Sequence, residues 1–186
     1  MKDKFVKNHI RELKKCIDNL DFWKMEKIVD ILYESIRGGR KVFLMGNGGS
    51  AATVSHFICD LNKNIANKRL KVISLNENIP LITAISNDVG YKNVFKKQLA
   101  NLLEKDDIVI VFSASGDSKN IISALEYAKK NKAITIGFTG FKGGSLLKIV
   151  DHYLLVPSND YGIIEDLHLI LEHLIVISLW KKIKNG

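Results

Sequence analysis

Five residues, Gly46-Asn47-Gly48-Gly49-Ser50, follow a short apolar run, Lys41-Val42-Phe43-Leu44-Met45, and lead into a stretch of helical character that reaches Asp60. Few folds admit such a junction. The run reads as a parallel strand buried on both faces. The glycines let the backbone turn sharply and approach a ligand closely. The helix behind them presents free N–H groups and the positive end of its dipole to one spot, where Ser50 adds a hydroxyl donor. His56 and Asp60, four residues apart, share a face of that helix. The stretch therefore predicts an anion cradle at one end and an imidazole–carboxylate pair further along. Two other readings fit it. Gly46-Asn47-Gly48-Gly49-Ser50-Ala51 matches the dinucleotide pattern G-x-G-x-x-G/A, with Glu77 as the nearest acidic partner. A plain tight turn beside a packed histidine is the other.

The rest of the chain alternates in the same way. Apolar runs over 71–75, 108–112, 134–138 and 153–156 read as strands, and the segments 80–85, 94–103, 121–131, 145–150 and 163–182 as helices. Two helices precede the first strand: one over 3–20, and one that Asp21 caps and Gly38-Gly39 ends. The polar segment 62–69 reads as a loop. Strands alternating with helices predict an α/β fold: a five-stranded parallel sheet flanked by helices, with right-handed crossovers. It is expected to form a single domain over residues 1–186, residues 1–40 being the N-terminal helices. The last helix is apolar nearly all round, at Ile164, Leu167, Ile170, Leu171, Leu174, Ile175, Ile177, Leu179 and Trp180 among others. A helix of that kind is buried on most sides, so it reads as a subunit interface in a helical bundle.

Composition narrows the partners. The net charge of +8 comes almost entirely from lysines spread along the chain, with no basic stretch interleaved with aromatics. This predicts a solvated surface that attracts anionic metabolites rather than a nucleic-acid interface. Two cysteines, Cys16 and Cys59, are too few for a disulfide framework and suit a reducing cytoplasm. Neither a signal-peptide core nor an uninterrupted membrane-spanning stretch is present, so no membrane association is expected.

Two further constellations carry chemistry. Ser113-Ala114-Ser115-Gly116-Asp117-Ser118 is a second Ser/Gly loop between a strand and a helix. In an open α/β sheet, ligands sit off the carboxyl ends of the strands, so two such loops can face one phosphate. The last helix carries Glu165, His168 and His173. With His56 and Asp60 these suit either a zinc ion or acid–base chemistry. His168 reads as a packed interface residue, and Glu165 and His173 lie two helical turns apart.

Taken together, the Gly46–Ala52 motif with His56, the Ser113–Ser118 loop, and Glu165-Asp166-Leu167-His168 with His173 resemble the sugar-isomerase (SIS) family and, within it, the bacterial phosphoheptose isomerases. The resemblance implies a homotetramer with a helical-bundle core. It implies conversion of sedoheptulose 7-phosphate to D-glycero-D-manno-heptose 7-phosphate through an enediol, a step of heptose biosynthesis. By the same resemblance Ser50, Ser113, Ser115 and Ser118, with Gly48, Gly49 and Ala114 in their loops, hold the phosphate. Asn47, Asn87 and Asp88 touch the sugar. His56, Asp60, Glu165 and His173 fall at the positions of one zinc ion per subunit, Asp60 and Glu165 also meeting substrate, and Asp60 and His173 fall at the proton-transfer positions. The family pattern has Glu where this chain has Asp60 and Gln where it has Glu165. A non-catalytic phosphosugar-binding regulator or adaptor of the same fold is the alternative function, and a nicotinamide-dependent enzyme a more distant one.

Overall fold

A computed structural model describes residues 2–65 and 70–185. Two helices, α1 (Lys2–Asp18) and α2 (Phe22–Gly38), precede the first strand. The Asp21 carboxylate accepts from the backbone N–H of Lys24 to start α2. Then follow β1 (Lys41–Gly46), α3 (Gly49–Asn64), β2 (Lys71–Ser74), α4 (Ile79–Val89), α5 (Val94–Leu102), β3 (Ile108–Ser113), α6 (Lys119–Lys130), β4 (Ile134–Thr139), β5 (His152–Leu155) and α7 (Tyr161–Asn185). Short 3₁₀ turns occupy Tyr91–Asn93 and Ser145–Lys148.

All five strands are parallel, in the order β2-β1-β3-β4-β5. Alternation along each strand divides the interior in two. Val42, Leu44, Ile108, Ile110 and Phe112 pack against α2, α3 and α7, whereas Phe43, Met45, Val109 and Val111 pack against α5 and α6. This order reverses between β1 and β3. The chain leaves β1 through α3 on one face, and leaves β3 through α6 on the other. A crevice opens at the carboxyl ends of these two strands, the usual ligand position in such sheets.

The expected helix over 80–85 continues to Val89, so Asn87 and Asp88 lie in its last turn rather than in a loop. Asn78 caps its start, and Gly90 at φ +87° ends it, a conformation that only glycine adopts freely. The expected helix over 145–150 is a single 3₁₀ turn. The expected loop 62–69 begins only after α3 ends at Asn64, and its residues 66–69 lie outside those described.

Candidate active site

Gly48 turns the chain out of β1 at φ +53°. The first turn of α3 has no side-chain cap, which leaves its leading N–H groups facing outward. Ser50 is buried in that turn. On the neighbouring strand, Gly46 pairs with Phe112, so the loops after β1 and β3 stand side by side. A pair of reciprocal hydrogen bonds ties them together. Asn47 Nδ2 donates to Asn120 Oδ1 and Asn120 Nδ2 donates to Asn47 Oδ1, both at 2.9 Å. The Tyr91 hydroxyl donates to the same Asn47 oxygen at 2.8 Å. Sequence reasoning identified Asn47 but neither Asn120 nor Tyr91, because partners this distant in the chain leave no local signal.

Within the second loop the hydroxyls are little used by the protein itself. Ser113 Oγ is buried and has no hydrogen-bond partner among the described residues. Ser118 stands at the N-cap of α6 without making a cap bond. Ser115 Oγ accepts from the backbone of Asp117. The Ala114 carbonyl accepts from Gly140 N–H and more weakly from the Thr139 hydroxyl, joining the loop to β4. Asn87 and Asp88 are exposed and bonded to each other.

Where α3 packs against α7, four side chains converge: His56, Asp60, Glu172 and His173. One donor atom from each lies within 4.8 Å of every other. His56 Nε2 and His173 Nε2 are 3.0 Å apart, with the rings edge to face. Asp60 Oδ2 stands 3.7 Å from both imidazoles. Glu172 Oε1 stands 3.7 Å from His56 and 3.4 Å from His173. A tetrahedral zinc ion with N and O ligands at roughly 2.0–2.2 Å needs donor–donor edges of about 3.3–3.6 Å. The observed separations bracket that value, so these residues fit a divalent ion. Burial, and after it the negative charge of Asp60, pushes the Glu172 carboxyl up to about 8. A cleft of about 310 Å³ lies beside the group, lined by Asp60, Asn64, His173, Val176, Ile177 and Trp180.

The expected fourth member, Glu165, is not in this group. Eight residues of helix separate it from His173, roughly 12 Å of rise. Its carboxylate instead lies over the first turn of α3, so close to Gly49 that a Cβ there would meet it at 2.4–2.7 Å. Glu172 was missed, although a lone acid within the apolar run Leu169-Ile170-Leu171-Glu172 is a signal in itself. His168, expected at a subunit interface, is buried in the chain's own core with its ring edge-on to Phe112 and Phe138. Burial lowers its pKa to about 4, weakly opposed by the nearby backbone of Thr139, so the ring is neutral.

Comparison with known proteins agrees with this geometry. The SIS domain model matches residues 4–140. A phosphoheptose isomerase of Aliarcobacter butzleri is 38% identical over 180 residues, covering 94% of this chain and 95% of the relative. A probable phosphoheptose isomerase of Thermoplasma acidophilum is 36% identical over 179 residues, covering 95% and 98%. Among solved structures, a phosphoheptose isomerase from Francisella tularensis superimposes with a TM-score of 0.87 at 29% identity, covering 97% of this chain and 96% of that one. One from Neisseria gonorrhoeae gives 0.88 at 27% identity, covering 96% and 98%. With its two Ser loops at the sheet's reversal point and its His/carboxylate group on α3 and α7, the chain belongs to the SIS domain family, among the phosphoheptose isomerases.

Proposed function

We propose that the protein is an aldose–ketose isomerase that converts sedoheptulose 7-phosphate to D-glycero-D-manno-heptose 7-phosphate through an enediol. The observation that carries this is the layout of α3. Its first turn belongs to the anion cradle, and His56 and Asp60 lie one to three turns further on. From Ser50 to His56 the helix rises roughly 9 Å, a span suited to a seven-carbon phosphosugar in its open form.

In this reading Ser50, Ser113, Ser115 and Ser118 anchor the phosphate by hydroxyl and backbone donors, with no lysine needed because the helix ends supply the field. Asn47, held by Asn120 and Tyr91, orients the sugar hydroxyls. Asp60 takes the proton from the carbon next to the carbonyl. His173 moves a proton between the two oxygens, for which an imidazole is suited near neutral pH. Zinc held by the His56, Asp60 and His173 group, when bound, polarises those oxygens as a Lewis acid. Asp60 turns Oδ2 toward the imidazoles and so keeps Oδ1 for the proton. We also propose that the enzyme works as a homotetramer in the cytoplasm. Among the described residues no helix is long and apolar enough to cross a membrane.

Incubation with sedoheptulose 7-phosphate, followed by NMR, tests the activity directly. Asp60→Asn keeps the shape but removes the base, so turnover is expected to fall by roughly 10²–10⁴ while substrate still binds. Wild-type turnover in that variant would move the base elsewhere. Substrate binding without turnover in the wild-type protein would favour a sensor over an enzyme.

A further inference from the structure

Glu172 has no part in sugar binding or proton transfer as described, and its position is costly. The side chain is fully buried, and neither oxygen has a hydrogen-bond partner among the described residues. A buried carboxylate without a donor or a cation is among the least favourable groups a core can hold. At the same point of an apolar helix, leucine would carry no such cost. The two ion-pair partners of Glu172 among the described residues are the imidazoles of His56 and His173, which compensate a carboxylate only when protonated.

We propose that Glu172, and not Glu165, is the fourth ligand of the divalent ion, completing with His56, Asp60 and His173 a coordination set supplied by one chain. The inference rests on the zinc reading of this site and assigns its ligands. Three observations support it. Glu172 Oε1 lies at ligand-edge distances from both ring nitrogens. Two carboxylates and two neutral imidazoles balance a charge of +2, so the ion would let the buried Glu172 ionise without an uncompensated charge. And the four groups divide by depth. Glu172 approaches from the interior at 0% side-chain exposure, whereas Asp60, at 22%, lines the cleft together with His173. The ion can therefore be gripped from beneath while Asp60 keeps its access to substrate. Asp60 is also a short acid, and a second carboxylate from the facing helix supplies the reach it lacks. Glu165 serves elsewhere, with its negative charge set against the positive end of α3 beside Gly49.

Metal titration of the chelator-stripped protein tests this without any activity assay. Zn²⁺ would be followed by calorimetry and Co²⁺ by its visible absorption, which reports coordination number. The variants are Glu172→Leu, Glu172→Gln and Glu165→Gln, each first checked for wild-type circular dichroism. Removal of a group that merely supports a ligand typically costs 10–100-fold in metal affinity. Glu172→Leu should therefore weaken Zn²⁺ binding by at least about 10–100-fold and change the Co²⁺ spectrum. Glu172→Gln, which keeps the shape and a neutral oxygen, should give a smaller loss. Glu165→Gln should bind as wild type does. If the wild-type protein binds one ion per chain and both Glu172 variants match it, the assignment is wrong although the zinc reading stands. A loss in Glu165→Gln equal to that in Glu172→Leu would likewise overturn it. A wild-type protein that binds no ion removes the zinc reading itself.

Discussion

The proposed phosphate role of Ser113 can be tested apart from the fold. Its hydroxyl is buried and makes no hydrogen bond among the described residues, so removing it breaks no such bond in the free protein. A hydrogen bond to a charged phosphate is worth roughly 1.5–3 kcal/mol. Ser113→Ala is therefore expected to leave the denaturation midpoint unchanged or slightly raised, and to weaken phosphosugar binding roughly ten- to hundredfold. Calorimetric affinity equal to wild type would place Ser113 outside the phosphate site. The two Ser loops were legible as loops because Ser and Gly cluster there between a strand and a helix. His56 and Asp60 were legible because four-residue spacing sets them on one helix face. Glu172 was not. Periodicity tells which face of a helix a residue occupies, but α7 is apolar on nearly every face, so no face announced itself as the site. The place of Glu165 was hidden for the complementary reason. It lies on the same helix as His173, and only packing against α3 reveals that its turn meets Gly49 instead of the histidines.

Among the elements, every strand was legible, because apolar runs of four to six residues bounded by turn signals have little else to become. The discrepancies fall where local rules compete. Asn87 and Asp88 read as helix breakers, yet the last turn of α4 tolerates both, since they stay exposed and bond to each other. A helix can also carry a buried polar group whose cost appears only when the solvent changes, and α7 does so with His168. Its pKa near 4 in the folded protein lies below the value of about 6.5 expected when unfolded. The unfolded chain therefore takes up the proton first. Stability from this group is complete above about pH 6.5 and is lost as pH falls toward 4, by up to about 3 kcal/mol. Denaturant unfolding at pH 7 and pH 4.5 should show a larger loss for wild type than for His168→Leu. Equal losses would mean that the ring gains a proton-accepting partner on acidification.

For the whole molecule, the order β2-β1-β3-β4-β5 explains why two loops separated by more than sixty residues face one crevice. The sequence implied parallel strands but not this order, because strand neighbours are chosen by packing across the sheet. The surface carries a further implication. Phe5 and Trp23 are 73% and 85% exposed, and Ile177 and Trp180 stand open beside the cleft. Apolar side chains left open on α1, α2 and α7 are where the proposed tetramer would associate. Light scattering at micromolar concentration should give the mass of four chains, and a stable monomer would exclude the tetramer.

The pairing of His56 with His173 spans 117 positions of the chain. Both Ser loops are finished by Ser118, long before α7 begins at Tyr161. In the proposed mechanism the two Ser loops and Asp60 are therefore made before one remaining reacting group, His173. By packing beside α3, α7 brings Glu172 and His173 to His56 and Asp60. The same helix closes the core with Leu167, Leu171 and Ile175, so a change that unseats α7 is expected to cost the fold together with the proposed chemistry.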